Sequence, residues 1–310
     1  MPLISVIIPL YNKDFIIKKT LDSVLNQRFT NFEVIIVNDG STDDSEKIVN
    51  AFSDTRIILV NQSNKGVSSA RNVGIQHANS ELIALLDADD YWYANHLQKL
   101  YDLYTVFPNC GMYCSRYKTQ ISADKFITNS FIGIDENYAG IINNYFEASL
   151  IKRIASSSSV LIPKKILVLE KGFNTNATYF EDHELWTKIA IKYDIAITNN
   201  YTAIYNFNIN KSLSKINLNL HNLPDFKQFE KHENENPSLK NFLDIYRLEF
   251  SLKYRLNNNI EKSNFYLKDI SSKIPIKTRI LLKTPVFILN FLIKLKHLMK
   301  KSGLDFTIYH

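Results

Sequence analysis

The 310-residue chain has only two cysteines and no long hydrophobic run. Cys110 and Cys114 have no second cysteine pair with which to form a metal or redox set, and so few cysteines fit a reducing cytoplasm. No run near Phe287 reaches the ~20 apolar residues that are needed to span a bilayer. Met1 and Pro2 lead directly into an apolar stretch, so we expect no secretory signal. These features favour a cytoplasmic protein.

The first third of the chain alternates strand patterns with helical ones. Apolar, β-rich runs predict four strands, at residues 3–8, 33–37, 56–60 and 81–86. Because short helical segments separate them, the pattern predicts a parallel, doubly wound α/β sheet with right-handed crossovers. Polar segments follow three of these strands, at residues 9–12, 38–43 and 87–90. They would line one edge of the sheet, where ligands bind in open α/β folds.

Three acids directly follow the last of these strands, at Asp87, Asp89 and Asp90. Two acids spaced i, i+2 on an extended segment project from the same side and can hold one hard cation. That cation would be Mg²⁺ or Mn²⁺, with oxygen ligands that it shares with a diphosphate. Acids after a strand are also ordinary turn and helix-capping residues, so the pattern alone leaves both interpretations open.

Four short segments carry a more specific signal: SVIIPLYN at 5–12, VNDGSTD at 37–43, NKGVSSARN at 64–72 and LDADD at 86–90. In this order and spacing they resemble successive motifs of the family 2 glycosyltransferases. The resemblance is close over residues 1–115 and fades after about residue 214. It implies a GT-A fold and the transfer, with inversion, of a sugar from a nucleotide-sugar donor.

The resemblance also assigns residues to a UDP-sugar by motif position: Pro9, Tyr11, Asp39, Arg71, Asp87, Ala88 and Asp89. Tyr11 can stack on the flat face of uracil, and Asp39 can accept a hydrogen bond from its N3–H. Arg71 is expected at the edge of the site, near the base or the phosphates. The alternatives are an aromatic at the rim for Tyr11, a turn acid for Asp39 and a surface ion pair for Arg71.

Motif position further separates the three acids after the fourth predicted strand. Asp87 would contact the ribose, and Asp89 would hold the Mn²⁺ or Mg²⁺ that bridges the diphosphate. The metal would neutralise charge on the leaving nucleoside diphosphate. Asp90 is expected to order the turn.

Inversion in one displacement also needs a base that takes the proton of the acceptor hydroxyl. The segment Glu181-Asp182-His183 opens a predicted helix and resembles the Glu-Asp motif of the family, whose Asp is the usual base, so Asp182 is the candidate. Two acids at the start of a helix also stabilise that helix through its dipole, so a purely structural role is the alternative for Asp182. Glu181 is expected to bind the acceptor or support the loop, and His183 to be a bystander.

The Gln-x-x-Arg-Trp signature of processive synthases is missing, which favours a single addition.

The catalytic domain is predicted to span residues 1–215. Its second half would contain strands at 111–117 and 158–162 and a helix at 145–154. Lys211 lies in a segment that, in relatives, can close over the diphosphate, but an ordinary solvated loop lysine is an equal interpretation.

Residues 216–310 are predicted to form a helical, basic region that associates with membranes. Between Lys262 and Lys301 there are ten basic residues and one acid. After Pro285, polar residues recur at helical spacing, at Asn290, Lys294, His297 and Lys301, and apolar residues occupy most of the rest of that helix. This pattern is typical of a helix lying in the plane of an anionic membrane. The alternatives are a helix docked on the domain or in a homodimer interface. Nucleic acid is not expected, since aromatics and arginines are not interleaved there.

Together these features predict a peripheral enzyme at the inner face of the cell membrane. It would transfer one sugar, a hexose, from a UDP-sugar to a hydroxyl of a saccharide linked to a polyprenyl diphosphate, in the synthesis of O-antigen or capsule. One alternative is a soluble transferase that acts on a protein or a free saccharide. Another is a non-catalytic relative that binds nucleotide sugars, although such a protein would be expected to lack Asp89 or Asp182.

Overall fold

A computed structural model of the chain describes residues 1–207, 217–270, 274 and 276–301. The strands are β1 Ile4–Leu10, β2 Phe32–Asp39, β3 Ile57–Gln62, β4 Leu82–Leu85, β5 Tyr91–Trp92, β6 Met112–Ser122, β7 Lys125–Thr128, β8 Gly140–Ile141, β9 Val160–Pro163 and β10 Ile195–Asn206. The helices are α1 Ile17–Leu25, α2 Ser45–Asn50, α3 Val67–His77, α4 His96–Val106, α5 Tyr145–Ala148, α6 Lys164–Leu169, α7 Glu181–Lys192, α8 Glu230–Glu235, α9 Pro237–Leu256, α10 Ile260–Lys268, α11 Ile276–Lys283 and α12 Val286–Lys301.

The strands form one mixed sheet in the order β3-β2-β1-β4-β9-β6-β10-β5. The four strands of the first third are parallel, as predicted, with β1 between β2 and β4. β9 runs antiparallel to both β4 and β6, and β6 is parallel to β10. The expected α/β architecture, a central sheet flanked by helices, is confirmed.

Apolar side chains fill both faces of the central strands, because helices cover the sheet on both sides. Along β1, Ile7 belongs to one hydrophobic core and its neighbours Val6 and Ile8 belong to the other. The helix α3 packs closely on β1 at Gly74, where a Cβ atom would lie 2.4 Å from Cγ2 of Ile7. This close packing fixes the position of α3 and of the residues it carries to the edge of the sheet.

The helix α9, in the C-terminal part of the chain, shares a hydrophobic core with α7. The ring of Phe180, just before α7, lies 4.3 Å from that of Tyr246 and 5.3 Å from that of Phe250, both on α9. Tyr246 and Phe250 are buried in the same core cluster as Trp186 of α7. The domain boundary at residue 215 stays a prediction, but the side chains of α9 lie against the helix that begins at Glu181.

Two predicted elements differ in length from those observed. The helix expected over residues 145–154 ends at Ala148. Beyond it, the backbone carbonyl of Arg153 accepts a hydrogen bond from Oη of Tyr117 at 2.8 Å, and Ile154 is fully buried, so this part of the chain packs into the core without forming a helix. The strand expected from residue 158 begins at Val160, after a short 3₁₀ turn. The segment around Lys211 lies outside the described residues.

The C-terminal helices expose much apolar surface. On α12, the side chain of Phe287 is 75% exposed, whereas Leu289 is 5% exposed and packs inward. Within the described ranges, no helix is long and apolar enough to cross a membrane. The side chains of His297 and Lys301, two members of the predicted polar stripe, are not described.

Candidate active site

The ends of β1, β2 and β4 lie side by side, as expected of parallel neighbours, and their polar segments meet at one edge of the sheet. The backbone N–H of Asn12 donates to Oγ of Ser41 at 3.1 Å. In return, Oδ1 of Asn12 accepts from the backbone N–H of Thr42 at 2.8 Å. The first and second motifs are therefore bonded directly to each other across the edge.

Asp39 is buried and organises the loop that precedes α3. Its Oδ1 accepts hydrogen bonds from the N–H of Lys65 at 2.8 Å and from Nε2 of Gln62 at 2.6 Å. Its Oδ2 accepts from the N–H of Gly66 at 2.9 Å, and Gly66 has a φ of +88°, which favours glycine. A carboxylate oxygen can accept more than one hydrogen bond, so Oδ2 retains capacity for a ligand.

Three further residues assigned to the donor lie on the same edge. The Tyr11 ring is 45% exposed and available for stacking. Pro9 is half-buried near the end of β1, opposite Val37 of β2. Ala88 is buried, and its carbonyl oxygen accepts a hydrogen bond from Oγ1 of Thr20 at 2.9 Å.

Arg71 connects the acidic segment at residues 87–90 to α7; this segment is called the donor loop below, because it is predicted to bind the donor. It is 3% exposed, with Nη2 2.7 Å from Oδ1 of Asp87 and Nη1 2.9 Å from Oε1 of Glu181. Burial opposes its charge, but Asp87 and Glu181 outweigh it and raise its pKa. A surface ion pair, the alternative that the sequence left open, is therefore wrong. A contact between Arg71 and the donor stays a prediction.

Asp89 forms an ion pair with Lys13, whose Nζ lies 2.6 Å from Oδ2 of the carboxylate. Both side chains are mostly buried. Burial raises the pKa of Asp89, and the neighbouring Asp87 adds to this, while the Lys13 charge opposes it. The sequence analysis missed Lys13, although its place directly after Asn12 in the first motif could have drawn attention to it.

Asp90 has the structural role that was expected of it. It is buried and accepts hydrogen bonds from Oγ of Ser158 at 2.5 Å and from the N–H of Asn206 at 2.8 Å. Burial and the charges of Asp89 and Asp87 raise its pKa well above the usual range. Asp90 thus joins the acidic segment to β10 and to the turn before β9.

Asp182 stands in the first turn of α7, after Phe180 in a left-handed conformation with φ of +72°. Its Oδ1 accepts a hydrogen bond from the backbone N–H of His183 at 2.7 Å. Burial favours the neutral carboxyl, but the charges of protonated His183, Arg71 and Arg153 lower its pKa. Burial also lowers the pKa of His183 to about 4, so near pH 7 the two arginines keep Asp182 ionised.

Glu181 and His183 flank Asp182 and have different surroundings. Burial and the Asp182 charge raise the pKa of Glu181 to about 7, against the opposing charge of Arg71. His183 packs between aromatic rings, 4.9 Å from that of Phe180 and 5.8 Å from that of Tyr246. This fits the expected bystander role of His183 and gives Glu181 a role in holding Arg71.

The helix α9 brings polar residues to the same region, and the sequence analysis missed them. Nε of Arg153 donates to Oη of Tyr246 at 3.1 Å. Nζ of Lys253 lies 2.8 Å from Oε1 of Glu249. Tyr246, Glu249 and Lys253 follow i, i+3, i+7 spacing, which places them on one helix face and is the signal that could have found them.

Comparisons with known proteins give one consistent family. The family model described as "Glycosyl transferase family 2" matches residues 5–173. The UDP-Glc:α-D-GlcNAc-diphosphoundecaprenol β-1,3-glucosyltransferase WfaP of Escherichia coli is 33% identical over 193 residues, which are 62% of this chain and 72% of that protein. WfgD of Escherichia coli, with the same description, is 41% identical over 97 residues, 31% of this chain and 38% of that protein.

Among solved structures, S. aureus TarS residues 1–349 in complex with UDP-GlcNAc has a TM-score of 0.66 and 18% identity, covering 90% of this chain and 84% of that one. At this identity the likeness concerns the fold. The chain spans less than two thirds of the length of several curated relatives that it matches, with values from 14% to 58%.

Proposed function

The chain belongs to the family 2 glycosyltransferases, and from this premise we propose that it transfers a single hexose, with inversion, from a UDP-sugar to a hydroxyl of a lipid-linked saccharide. The observation that supports the proposal is that Arg71 bonds both Asp87, after β4, and Glu181, the residue before Asp182 on α7. A donor-binding edge and a carboxylate base are the two parts that a single displacement requires.

The names of two relatives support the choice of substrates. WfaP and WfgD are described as transferring glucose from UDP-Glc to α-D-GlcNAc-diphosphoundecaprenol, and TarS was solved with UDP-GlcNAc. We therefore propose a UDP-sugar as donor, a saccharide on a polyprenyl diphosphate as acceptor, and a place in surface-polysaccharide assembly. A transferase acting on a protein or a free saccharide is the runner-up.

In this proposal the nucleotide lies over the ends of β1 and β2. Tyr11 stacks on the uracil ring, and Asp39 accepts from its N3–H. The internal hydrogen bonds of Asp39 hold its carboxylate fixed before the ligand arrives, which reduces the entropy cost of binding.

Asp89 is the proposed protein ligand of Mn²⁺ or Mg²⁺. The Asp89 carboxylate already pairs with one cation, the Lys13 ammonium, at 2.6 Å. Carboxylate oxygens are the kind of ligand that these hard ions take. Among the residues that the structure describes, no three His, Cys, Asp or Glu side chains group as a metal site. Ions of this class are commonly held by one or two carboxylates together with substrate phosphates and water. When bound, the metal would neutralise charge on the leaving diphosphate.

Asp182 is the proposed base. Arg71 and Arg153 favour its ionised form, so the carboxylate can accept the proton of the acceptor hydroxyl near pH 7. Glu181, through Arg71, fixes the start of α7 relative to Asp87 on the donor loop. The base is thereby positioned against the donor by side chains rather than by the backbone alone.

We also propose that α12 holds the enzyme at an anionic membrane surface, at the inner face of the cell membrane. Large apolar side chains on α12 are exposed: Phe287, Phe291, Leu295 and Leu298. Basic residues are numerous in this part of the chain. Such a combination is typical of helices that lie in the interface. Because Leu289 is buried against the protein, a purely docked helix remains the competing interpretation, with a dimer interface as the third.

Replacing Phe287 and Phe291 together by glutamate should release the protein from anionic vesicles. Two buried aromatic rings contribute several kcal/mol of apolar transfer energy, so we expect vesicle affinity to fall by at least about tenfold in a flotation or sedimentation assay. The matched control is Leu169→Glu on α6, whose side chain is similarly exposed. Equal vesicle binding by all three proteins, or no binding by the wild type, would favour the docked-helix interpretation.

The experiment that tests the proposed function is a donor screen. The protein is incubated with Mn²⁺, a short-chain alkyl diphosphate ester of N-acetylglucosamine and each of several UDP-, GDP- and TDP-hexoses, and transfer is followed by mass spectrometry. We expect transfer from a UDP-hexose and addition of one sugar. Transfer only from a GDP- or TDP-sugar would overturn the donor assignment, and repeated addition would overturn the single-transfer assignment.

A further inference from the structure

Two cations, Arg153 and Lys253, lie close to the segment that leads into α7 and carries Asp182. Arg153 follows α5, and its charge acts on Asp182, since it helps to lower the pKa of that carboxyl. Lys253 stands on α9 and pairs with Glu249, which Arg153 also approaches, with Nη2 3.7 Å from Oε2. The side chains of Arg153 and Lys253 are 38% and 31% exposed, so a ligand can reach both.

The guanidinium of Arg153 is held in place but uses few of its donors. Nε donates to Oη of Tyr246 at 3.1 Å, and the group stacks over the Tyr246 ring at 5.1 Å. Within the described ranges, neither terminal nitrogen of Arg153 makes a hydrogen bond to the protein, because the approach to Glu249 is too long for one. A guanidinium fixed in this way presents a planar pair of N–H groups, the geometry that binds a phosphate in bidentate fashion.

Lys253 supplies the second charge and is also held. Its Nζ donates to Oη of Tyr179 at 2.7 Å and to Oε1 of Glu249 at 2.8 Å, which leaves one of three N–H donors. The negative charge of Glu249 compensates only one of the two positive charges of Arg153 and Lys253. Tyr179 and Tyr246 therefore fix Lys253 and Arg153 around a single acid, with spare donors on both.

The contacts continue from these cations to the apolar C-terminal helices. Two residues after Lys253, Nη2 of Arg255 donates to the carbonyl oxygen of Thr284, in the turn between α11 and α12. α12 packs against α9 as well. A lipid-linked acceptor has its phosphates between the saccharide and the lipid. Successive residues of α9 contact these parts in a matching sequence: Tyr246 bonds Arg153, Lys253 bonds Tyr179 just before α7, and Arg255 bonds Thr284 just before α12.

We propose that Arg153 and Lys253 bind the diphosphate that joins the acceptor saccharide to its lipid. The inference rests on the proposed lipid-linked acceptor and adds the residues that recognise it. Binding there sets the acceptor hydroxyl against Asp182 through a group remote from the reacting atoms, so that binding energy contributes to orientation. It also makes α9, which lies in the C-terminal region, part of the acceptor site.

The test compares two acceptors in Arg153→Gln and Lys253→Met. One acceptor is a short-chain alkyl diphosphate ester of N-acetylglucosamine, and the other is the alkyl glycoside of the same sugar without phosphate. For the diphosphate, each variant should raise KM about 10- to 100-fold, the loss expected of a charge-assisted hydrogen bond. For the glycoside, KM should match the wild type with either variant, and with Lys253→Met kcat should match as well. Arg153→Gln removes one of the charges that favour ionised Asp182, so its kcat should fall equally on both acceptors. UDP affinity by calorimetry should be unchanged with either variant.

Matched controls come from ion pairs far from the site. Lys18 pairs with Asp22 at 2.8 Å and i, i+4 spacing, as Lys253 pairs with Glu249, and Arg56 pairs with Asp54. Lys18→Met and Arg56→Gln should leave the KM of both acceptors unchanged. Melting temperatures of all four variants show whether each is folded.

The outcomes separate this inference from the proposed function. If the wild type prefers the diphosphate and both site variants keep that preference, the inference is wrong and the acceptor class stands. If the wild type shows no preference for the diphosphate, the proposed acceptor class fails. Equal rises in KM on both acceptors would make the two cations positioning groups for Asp182. Loss of anionic-vesicle binding with unchanged KM would assign them to lipid headgroups. Both of these last results overturn the inference.

Discussion

Asp182→Asn is expected to lower kcat by about 10²–10⁴-fold, the contribution of a positioned general base. The amide keeps the size of the side chain and can still accept from the N–H of His183, but it cannot take a proton. UDP affinity should be nearly unchanged, because Asp182 lies on α7 and the proposed nucleotide contacts lie at the ends of β1 and β2. Single-turnover kinetics and calorimetry with UDP measure the two effects separately.

Asp39→Ala is expected to have the opposite effect to Asp182→Asn, a loss of UDP affinity. It removes the acceptor of the Lys65 and Gly66 N–H groups and the proposed contact with uracil, so UDP binding should weaken first. Asp22→Asn, on the exposed face of α1, is the neutral control. If Asp182→Asn abolishes UDP binding instead of kcat, the residue belongs to the donor site and another group is the base.

Asp89→Ala is expected to abolish detectable transfer while leaving the fold intact. The residue lies at the edge of the sheet, so its loss removes little packing, but it leaves the mostly buried Lys13 ammonium unpaired, and we expect a moderate fall in Tm of a protein that still folds. In the wild type, EDTA should stop transfer, and Mn²⁺ or Mg²⁺ should restore it. Electron paramagnetic resonance with Mn²⁺ and UDP gives a readout besides activity, and the variant should bind Mn²⁺ far more weakly.

Two results would contradict the assignment of Asp89 as a metal ligand. Full activity of the wild type in EDTA would show that no divalent ion is needed, and the Lys13 ammonium would then be the cation next to Asp89. Wild-type Mn²⁺ binding that persists in Asp89→Ala would place the ion elsewhere. In the second case Asp87, on the same segment, would be the next residue to test.

The sequence predicted the first half of the fold because local signals suffice there. Runs such as Val34 to Val37 are apolar at every position, as buried parallel strands are, and turn residues such as Asn38 and Gly40 end them. Once the strands are parallel, their ends must meet at one edge. The proximity of the segments after β1, β2 and β4 therefore followed from the strand pattern.

The contacts between distant parts of the chain could not be predicted in this way. Arg71 and Glu181 are 110 residues apart, and nothing local to Arg71 distinguishes an exposed arginine from one buried between two acids. Arg153 and Tyr246 are 93 residues apart, and their contact depends on how α9 packs against α7. The end of α5 at Ala148 likewise reflects tertiary contacts of Arg153 and Ile154, which override local helix propensity.

The most direct test of the account is the anomeric configuration of the product. The protein, Mn²⁺, UDP-α-D-glucose and the alkyl diphosphate ester of N-acetylglucosamine are incubated together, and the new linkage is read by proton NMR. If Asp182 is the single carboxylate base and acts on the face of the sugar opposite UDP, we expect one added hexose with a β linkage. An α-linked product, or no transfer from any UDP-hexose, would contradict it.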